Sequence, residues 1–282
     1  MQNHPPLVSC GWLAQCLDAT DIVVLDATFF LPIQQRNALE EYRQAHIPGA
    51  RFFDIDEVAD KTSPLPHMLP TPAQFAEAVG EMGIGNDSHV IAYDSNFFMA
   101  SARLWWTFRV FGHDRVSVLD GGLARWKAEG RPVTEQLPVV AERRFTAGFR
   151  PELVCDLEQM KALLAERDVQ ILDARSPGRF AGTEPEPRAG LRSGHIPGSR
   201  NLLFKNLIDE TTFCLKSPAE LEKLYREAGV ASAQPVTTSC GTGVTAAILA
   251  LGLYCIGNEQ VAVYDGSWTE WGGREDTPVS RD

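Results

Sequence analysis

The 282-residue sequence predicts an α/β protein of two tandem domains, each a mostly parallel sheet with helices on both faces. Three observations predict it. Short apolar strand-like segments alternate with helix-like ones, the pattern of a parallel sheet covered on both sides. Three motifs occur twice in the same order: Val23-Val24-Leu25-Asp26-Ala27 with Gln170-Ile171-Leu172-Asp173-Ala174, His46-Ile47-Pro48-Gly49-Ala50 with His195-Ile196-Pro197-Gly198-Ser199, and Leu119-Asp120-Gly121-Gly122-Leu123 with Tyr264-Asp265-Gly266-Ser267-Trp268. Their spacings are 147 (Asp26 to Asp173), 149 (His46 to His195) and 145 (Asp120 to Asp265), so the chain is a tandem duplication. The domains are expected at 1–135 and 153–282. The linker falls at 136–152, because Gly130 to Pro151 lacks periodicity and carries Pro132, Pro138, Gly148 and Pro151.

In the first half, Ile22–Asp26, Ala50–Phe53, His89–Tyr93 and Val116–Leu119 read as strands. Ala38–Ala45, Pro72–Met82, Ala100–Phe111 and Gly122–Ala128 read as helices, with Thr71 the N-cap before an N1 proline. The proline-rich stretch Ser63–Pro72 reads as a structured connection inside the first domain rather than a ligand for a proline-reading module. Trp105, Trp106, Trp126, Trp268 and Trp271 fit helical packing positions. His46, His195, Asp26 and Asp173 recur in both halves, which favours structural roles for them.

A hydrophobic content of 44% and a charged content of 22% are those of a globular protein. The net charge of −11 argues against nucleic acid and anionic membranes as partners. The N-terminal residues show no basic segment followed by an apolar core, and the longest apolar run, Val244 to Ile256, is too short for a bilayer. Six cysteines without C-x-x-C or zinc spacing read as reduced thiols, and the cytoplasm is the expected compartment. No metal or organic cofactor is expected.

One stretch concentrates the chemistry. A β-favouring run ends at Ser239, helix formers begin after Gly243, and between them Cys240 heads a Gly-x-Gly turn. A strand-turn-helix junction aims backbone N–H groups and a helix dipole into one small bowl, which stabilises negative charge on a sulfur. Sheets of this class bind ligands at the carboxyl ends of their strands, where Cys240 lies. Cys240 is the candidate nucleophile. In the first half Tyr93-Asp94-Ser95 aligns with Ser239-Cys240-Gly241; aspartate replaces the nucleophile, and that half is expected to be catalytically silent.

The tandem repeat, Asp-Ala-Arg, His-Ile-Pro-Gly and the Cys240-Gly241-Thr242-Gly243-Val244-Thr245-Ala246 loop together resemble the rhodanese superfamily of sulfurtransferases, from about Val8 to about Arg274. The fold the resemblance implies is two tandem rhodanese-like domains. Members that prefer thiosulfate carry basic residues after the cysteine; members that use 3-mercaptopyruvate carry Cys-Gly-Ser-Gly-Val-Thr, to which this loop is similar with Thr242 in place of serine. The segment Gly178 to Arg188 is similar to the family segment whose two arginines, here Arg179 and Arg188, hold the substrate carboxylate. From spacing alone these arginines read as solvated charges beside Glu184 and Glu186. Asp54-Ile55-Asp56 and Ser63 to Pro70 resemble segments that face the active loop, and a proton relay carried over from the family falls on Asp56, His67 and Thr242. The bland alternative for His67 is an ordinary loop histidine.

What the resemblance implies is sulfur transfer from a small-molecule donor, 3-mercaptopyruvate, to an acceptor thiol such as thioredoxin or glutathione, or to cyanide, with pyruvate released. The backbone of Gly241, Gly243, Val244 and Thr245 would bind the anion. Thiosulfate is the alternative donor, and a sulfur-sensing scaffold is the non-enzymatic alternative. Phosphatase chemistry on a related Cys-x5-Arg loop is excluded, because the sixth residue after Cys240 is Ala246 and the loop lacks a cation.

Overall fold

The computed structural model describes residues 4–166, 169–231 and 233–281. The chain forms two compact units. The first takes in residues up to Asp60, Leu69–Arg150 and Asp209–Leu215; the second takes in Lys61–Met68, Pro151–Ile208 and the chain from Lys216 onward.

The first unit runs β1 (Leu7–Val8), α1 (Cys10–Cys16), β2 (Ile22–Asp26), α2 (Ala38–Gln44), β3 (Arg51–Phe52), α3 (Pro72–Glu81), β4 (His89–Tyr93), α4 (Ser101–Val110), β5 (Val116–Leu119) and α5 (Gly122–Ala128). Its strands lie in the order β1-β5-β4-β2-β3, all parallel. The second unit repeats the plan with β6 (Val154–Cys155), α6 (Leu157–Glu166), β7 (Gln170–Asp173), α7 (Pro177–Phe180), β8 (Arg200–Asn201), α8 (Pro218–Glu227), β9 (Val236–Ser239), α9 (Ala246–Cys255), β10 (Val261–Tyr264) and α10 (Ser267–Trp271). Its order, β6-β10-β9-β7-β8, is the same parallel topology.

Local chemistry sets the boundaries. Thr71 and Gln74 cap α3 reciprocally with Pro72 in its first turn, and Ser217, Glu220 and Pro218 do the same for α8. The helix α9 is apolar on every side, with Ala246 through Leu253 all buried, which explains the long apolar run. Trp126 packs with Leu13, Val24, Ile91 and Tyr93 in one core, and Trp268 and Trp271 pack with Met160, Ile171 and Tyr264 in the other. The His-Ile-Pro-Gly motifs are structural: His46 Nδ1 lies 2.7 Å from the Tyr42 carbonyl, and His195 Nδ1 lies 2.8 Å from that of Phe180. Each histidine also bridges to a strand-like segment beyond the last helix of its unit, at Thr134 and Ser280. No helix among the described residues is long and apolar enough to cross a membrane.

The stretch 136–152, expected as the linker, lies along the first unit as far as Arg150: the Arg143 N–H donates to the Gly80 carbonyl, Phe145 is buried, and Arg150 pairs with Asp114 at 2.6 Å. The proline-rich stretch Ser63–Pro72 does not lie wholly inside the first domain: up to Met68 it belongs to the second unit and from Leu69 to the first, while Asp209–Leu215 also belongs to the first. The repeats thus exchange arms, which a period of strands and helices does not reveal.

Candidate active site

The register of the second sheet builds the site. Asp173, the last residue of β7, pairs with Ser239, the last of β9, so Cys240 leaves the sheet beside the turn after β7. The Cys240 N–H donates to Ser267 Oγ at 3.1 Å, and its carbonyl accepts from the Trp268 N–H at 3.0 Å. The Gly241 carbonyl accepts from both the N–H and the Oγ1 of Thr269, at 2.9 and 2.7 Å. The first turn of α10 therefore binds both carbonyls at the head of the loop on one side. Gly243 stands at φ 75°, a left-handed conformation that glycine adopts without steric cost. Cys240 is buried at 2% exposure, and Thr242 is buried beside it in the loop.

The first unit shows what such a loop binds. Asp94 follows β4 as Cys240 follows β9, and its carboxylate accepts four backbone N–H groups: Asn96 at 2.9 Å and Phe98 at 3.1 Å on one oxygen, Ala100 at 3.2 Å and Ser101 at 2.8 Å on the other. Burial pushes the Asp94 carboxyl up from its ordinary value, and these donors oppose the shift. The strand-loop-helix junction is an anion cradle, and in the first unit its own aspartate fills it. A small pocket of about 110 Å³ opens beside Asp94, lined by Ser95, Phe97, Phe98, Gly122 and Phe213.

Phe213 arrives on the exchanged arm and follows His67 by 146 residues, as Cys240 follows Asp94. The two share a left-handed backbone, φ 62° at Phe213 and 61° at His67. His67 is buried and belongs to the second unit, so the repeat makes it the counterpart of the side chain that faces Asp94. Asp56 belongs to the first unit, at an exposed turn where its N–H donates to Asp54 Oδ1 at 2.8 Å.

Of the two expected substrate arginines, Arg179 lies against the loop. Its Nη2 is 3.3 Å from the point where a Cβ on Gly241 would stand, so that glycine makes room for the guanidinium. Arg179 is also tied to Glu186, with Nη2 to Oε2 at 2.6 Å. It is therefore not merely a solvated charge. Arg188 is half-buried. Arg175, whose place Thr28 takes in the first unit, is buried between Asp173 and Glu186. Glu186, Arg175 and Ser267 belong to the site and were not predicted. The available signals were the Thr28-to-Arg175 and Gly122-to-Ser267 differences between repeats. No group of three His, Cys, Asp or Glu side chains suited to a metal ion occurs among the described residues.

Comparison with known proteins agrees with this geometry. The model of the rhodanese-like domain matches residues 9–129 and again 156–274. The chain is 43% identical over 273 residues to the 3-mercaptopyruvate sulfurtransferase of Escherichia coli K12, covering 96% of each. It is likewise 43% identical over 300 residues to the mitochondrial "Thiosulfate/3-mercaptopyruvate sulfurtransferase 1" of Arabidopsis thaliana, covering 99% of this chain and 79% of that one. The crystal structure of SseA from Escherichia coli, described as a 3-mercaptopyruvate sulfotransferase with the "Rhodanese" fold, superposes with a TM-score of 0.86 at 40% identity, covering 94% of this chain and 99% of that one. With two domain matches, the repeated parallel sheet and these relatives, the chain belongs to the rhodanese family.

Proposed function

We propose that this protein transfers sulfur from 3-mercaptopyruvate to a thiol or cyanide through a persulfide on Cys240, releasing pyruvate. The observation that carries the reading is Cys240 at the head of a loop whose counterpart cradles a carboxylate with four backbone N–H groups. The Cys240 thiolate attacks the donor sulfur. An S–S bond forms, the C–S bond breaks, and its electron pair leaves on C3 as the enolate of pyruvate. The donor thiol's proton balances the one taken up by the enolate. A soft nucleophile, such as the thiol of thioredoxin or glutathione, or cyanide, then removes the outer sulfur, giving ping-pong kinetics.

The N–H groups of the loop from Gly241 through Gly243 and Val244 to Thr245 hold the persulfide anion. Arg179 and Arg188 grip the carboxylate and carbonyl oxygens, for which the planar guanidinium fork is suited. The contact of Arg179 with Gly241 supports its part. Thr242 and His67 deliver the proton to the enolate, with Asp56 behind them. The burial of Thr242 in the loop beside Cys240, and the correspondence of His67 to the residue lining the pocket at Asp94, support this relay. Absence of Lys and Arg from the Cys240–Ala246 loop favours 3-mercaptopyruvate over thiosulfate, which carries two negative charges. The six free thiols support a reducing compartment, the cytoplasm.

Steady-state pyruvate release from 3-mercaptopyruvate, compared with thiocyanate formation from thiosulfate and cyanide, tests the donor. The expected result is a higher kcat/KM for 3-mercaptopyruvate; a higher value for thiosulfate would overturn the donor assignment.

A further inference from the structure

The turn after β7 holds a chain of charges of which the chemistry above uses only Arg179. Arg175 donates from Nε and Nη2 to both oxygens of Asp173, at 2.6 to 3.1 Å, and from Nη1 to Glu186 Oε1 at 2.7 Å. Glu186 in turn accepts from Arg179 Nη2 at 2.6 Å and Nε at 3.2 Å. The side chains of Asp173, Arg175 and Glu186 are 1 to 2% exposed, and the Arg175 guanidinium lies 4.3 Å over the Trp268 ring. Arg179 is the partly open end, 24% exposed, beside Gly241.

A plain structural staple does not explain the arrangement. In the first unit the same turn is made without a cation: the Thr28 N–H donates to Asp26 Oδ1 at 2.9 Å, as the Arg175 N–H does to Asp173 Oδ1 at 2.9 Å. Buried ion pairs also contribute little net stability, because desolvation offsets their attraction. What the network does is fix Arg179 by two hydrogen bonds on one edge and cancel its charge. Asp173, Arg175, Glu186 and Arg179 sum to zero. Arg188, the other proposed substrate arginine, pairs with no carboxylate among the described residues.

We propose that Glu186 is the positioning residue for Arg179 and sets the site's charge for donors with one negative charge over donors with two. This rests on the sulfurtransferase reading of Cys240. With Glu186 in place, the two arginines offer one net positive charge, which matches 3-mercaptopyruvate and undercharges the site for thiosulfate.

The test is Glu186→Gln, which keeps the shape, removes the charge and leaves one acceptor for two arginines. The kcat/KM for 3-mercaptopyruvate falls, chiefly through KM, and the thiosulfate to 3-mercaptopyruvate ratio of kcat/KM rises about tenfold, the order expected for one charge at close range in a partly solvated site. Cyanide discharge of preformed persulfide keeps its wild-type rate. Glu186→Asp, which retains the charge, raises KM but leaves the donor ratio near wild type. Glu184→Gln, at an exposed side chain bonded to Ser176, changes neither donor. Equal losses for both donors in Glu186→Gln would mark a staple and overturn the proposal, as would an unchanged ratio. If wild-type protein is charged by neither donor, the sulfurtransferase reading fails first and the proposal with it.

Discussion

Ser267 is held in a backbone conformation that its repeat counterpart assigns to glycine. Its φ is 48°, beside 52° for Gly122, where a Cβ would collide with the Asp94 carbonyl. The left-handed region costs a residue with a Cβ about 1 kcal/mol. Ser267 offsets this by accepting the Cys240 N–H at 3.1 Å and donating to the Tyr264 carbonyl at 2.8 Å, with all three residues nearly inaccessible to water. Ser267→Ala keeps the strain and strands a buried N–H, a loss of about 1 to 3 kcal/mol. Ser267→Gly strands the same group but relieves the strain, and recovers up to about 1 kcal/mol relative to alanine. Urea unfolding of the full chain, followed by tryptophan fluorescence, reads both, since Trp268 is the next residue. The expected order of stability is serine, glycine, alanine. An alanine variant as stable as wild type, or a glycine variant less stable than alanine, would refute the reasoning.

Two further outcomes follow from the first unit. Asp94→Asn replaces one acceptor oxygen by an NH2 group facing the N–H groups of Ala100 and Ser101 or of Asn96 and Phe98, and removes the charge from the rest. Its unfolding free energy in urea should fall by about 2 kcal/mol or more, from two buried N–H groups left without an acceptor at about 1 to 3 kcal/mol each; an unchanged midpoint would contradict the cradle. His89 is buried, with its pKa lowered to about 4 by burial first and by His4 and Arg115 after it. Ser117 Oγ gives its proton to the Pro5 carbonyl, so it accepts from the neutral imidazole's Nε2 at 2.9 Å. The unfolded chain binds this proton from about pH 6.5 downward and the folded chain only near pH 4. Stability is therefore undiminished above pH 6.5 and falls by up to about 3 kcal/mol between pH 6.5 and 4. His89→Gln, which keeps a donor for Ser117 but does not titrate, should flatten that part of the stability profile; an equally steep profile would contradict the assignment.

Much of the fold is legible in the sequence because its signals are local. The strands at Ile22–Asp26, His89–Tyr93 and Val116–Leu119 lie where alternation predicts them, and Thr71-Pro72 announces α3. Strand β3 is shorter than expected, Arg51–Phe52 against Ala50–Phe53, since only two residues find partners on β2. The loop at Cys240 is legible as a strand-turn-helix junction because glycines follow a β-favouring run and precede a run of helix formers. The exchanged arms are not, because which unit Lys61–Met68 joins depends on contacts far along the chain. Nor is the role of Asp94. Aspartate in place of cysteine reads as loss of a nucleophile, while the direction of four backbone N–H groups is a property of the folded loop. The network from Asp173 to Arg179 is equally hidden, as its members have no period and meet only when Glu186 folds back. The Thr28-to-Arg175 difference marks its place without giving its partner.

The most direct test of the account is single-turnover charging. Wild-type protein and Cys240→Ser are mixed with 3-mercaptopyruvate without an acceptor, and intact mass and pyruvate are followed together. The expected result is one sulfur added per wild-type chain, localised to the Cys240 peptide, with one pyruvate released, and neither event in the variant. Pyruvate release that survives in Cys240→Ser, or sulfur carried on another cysteine, would contradict it.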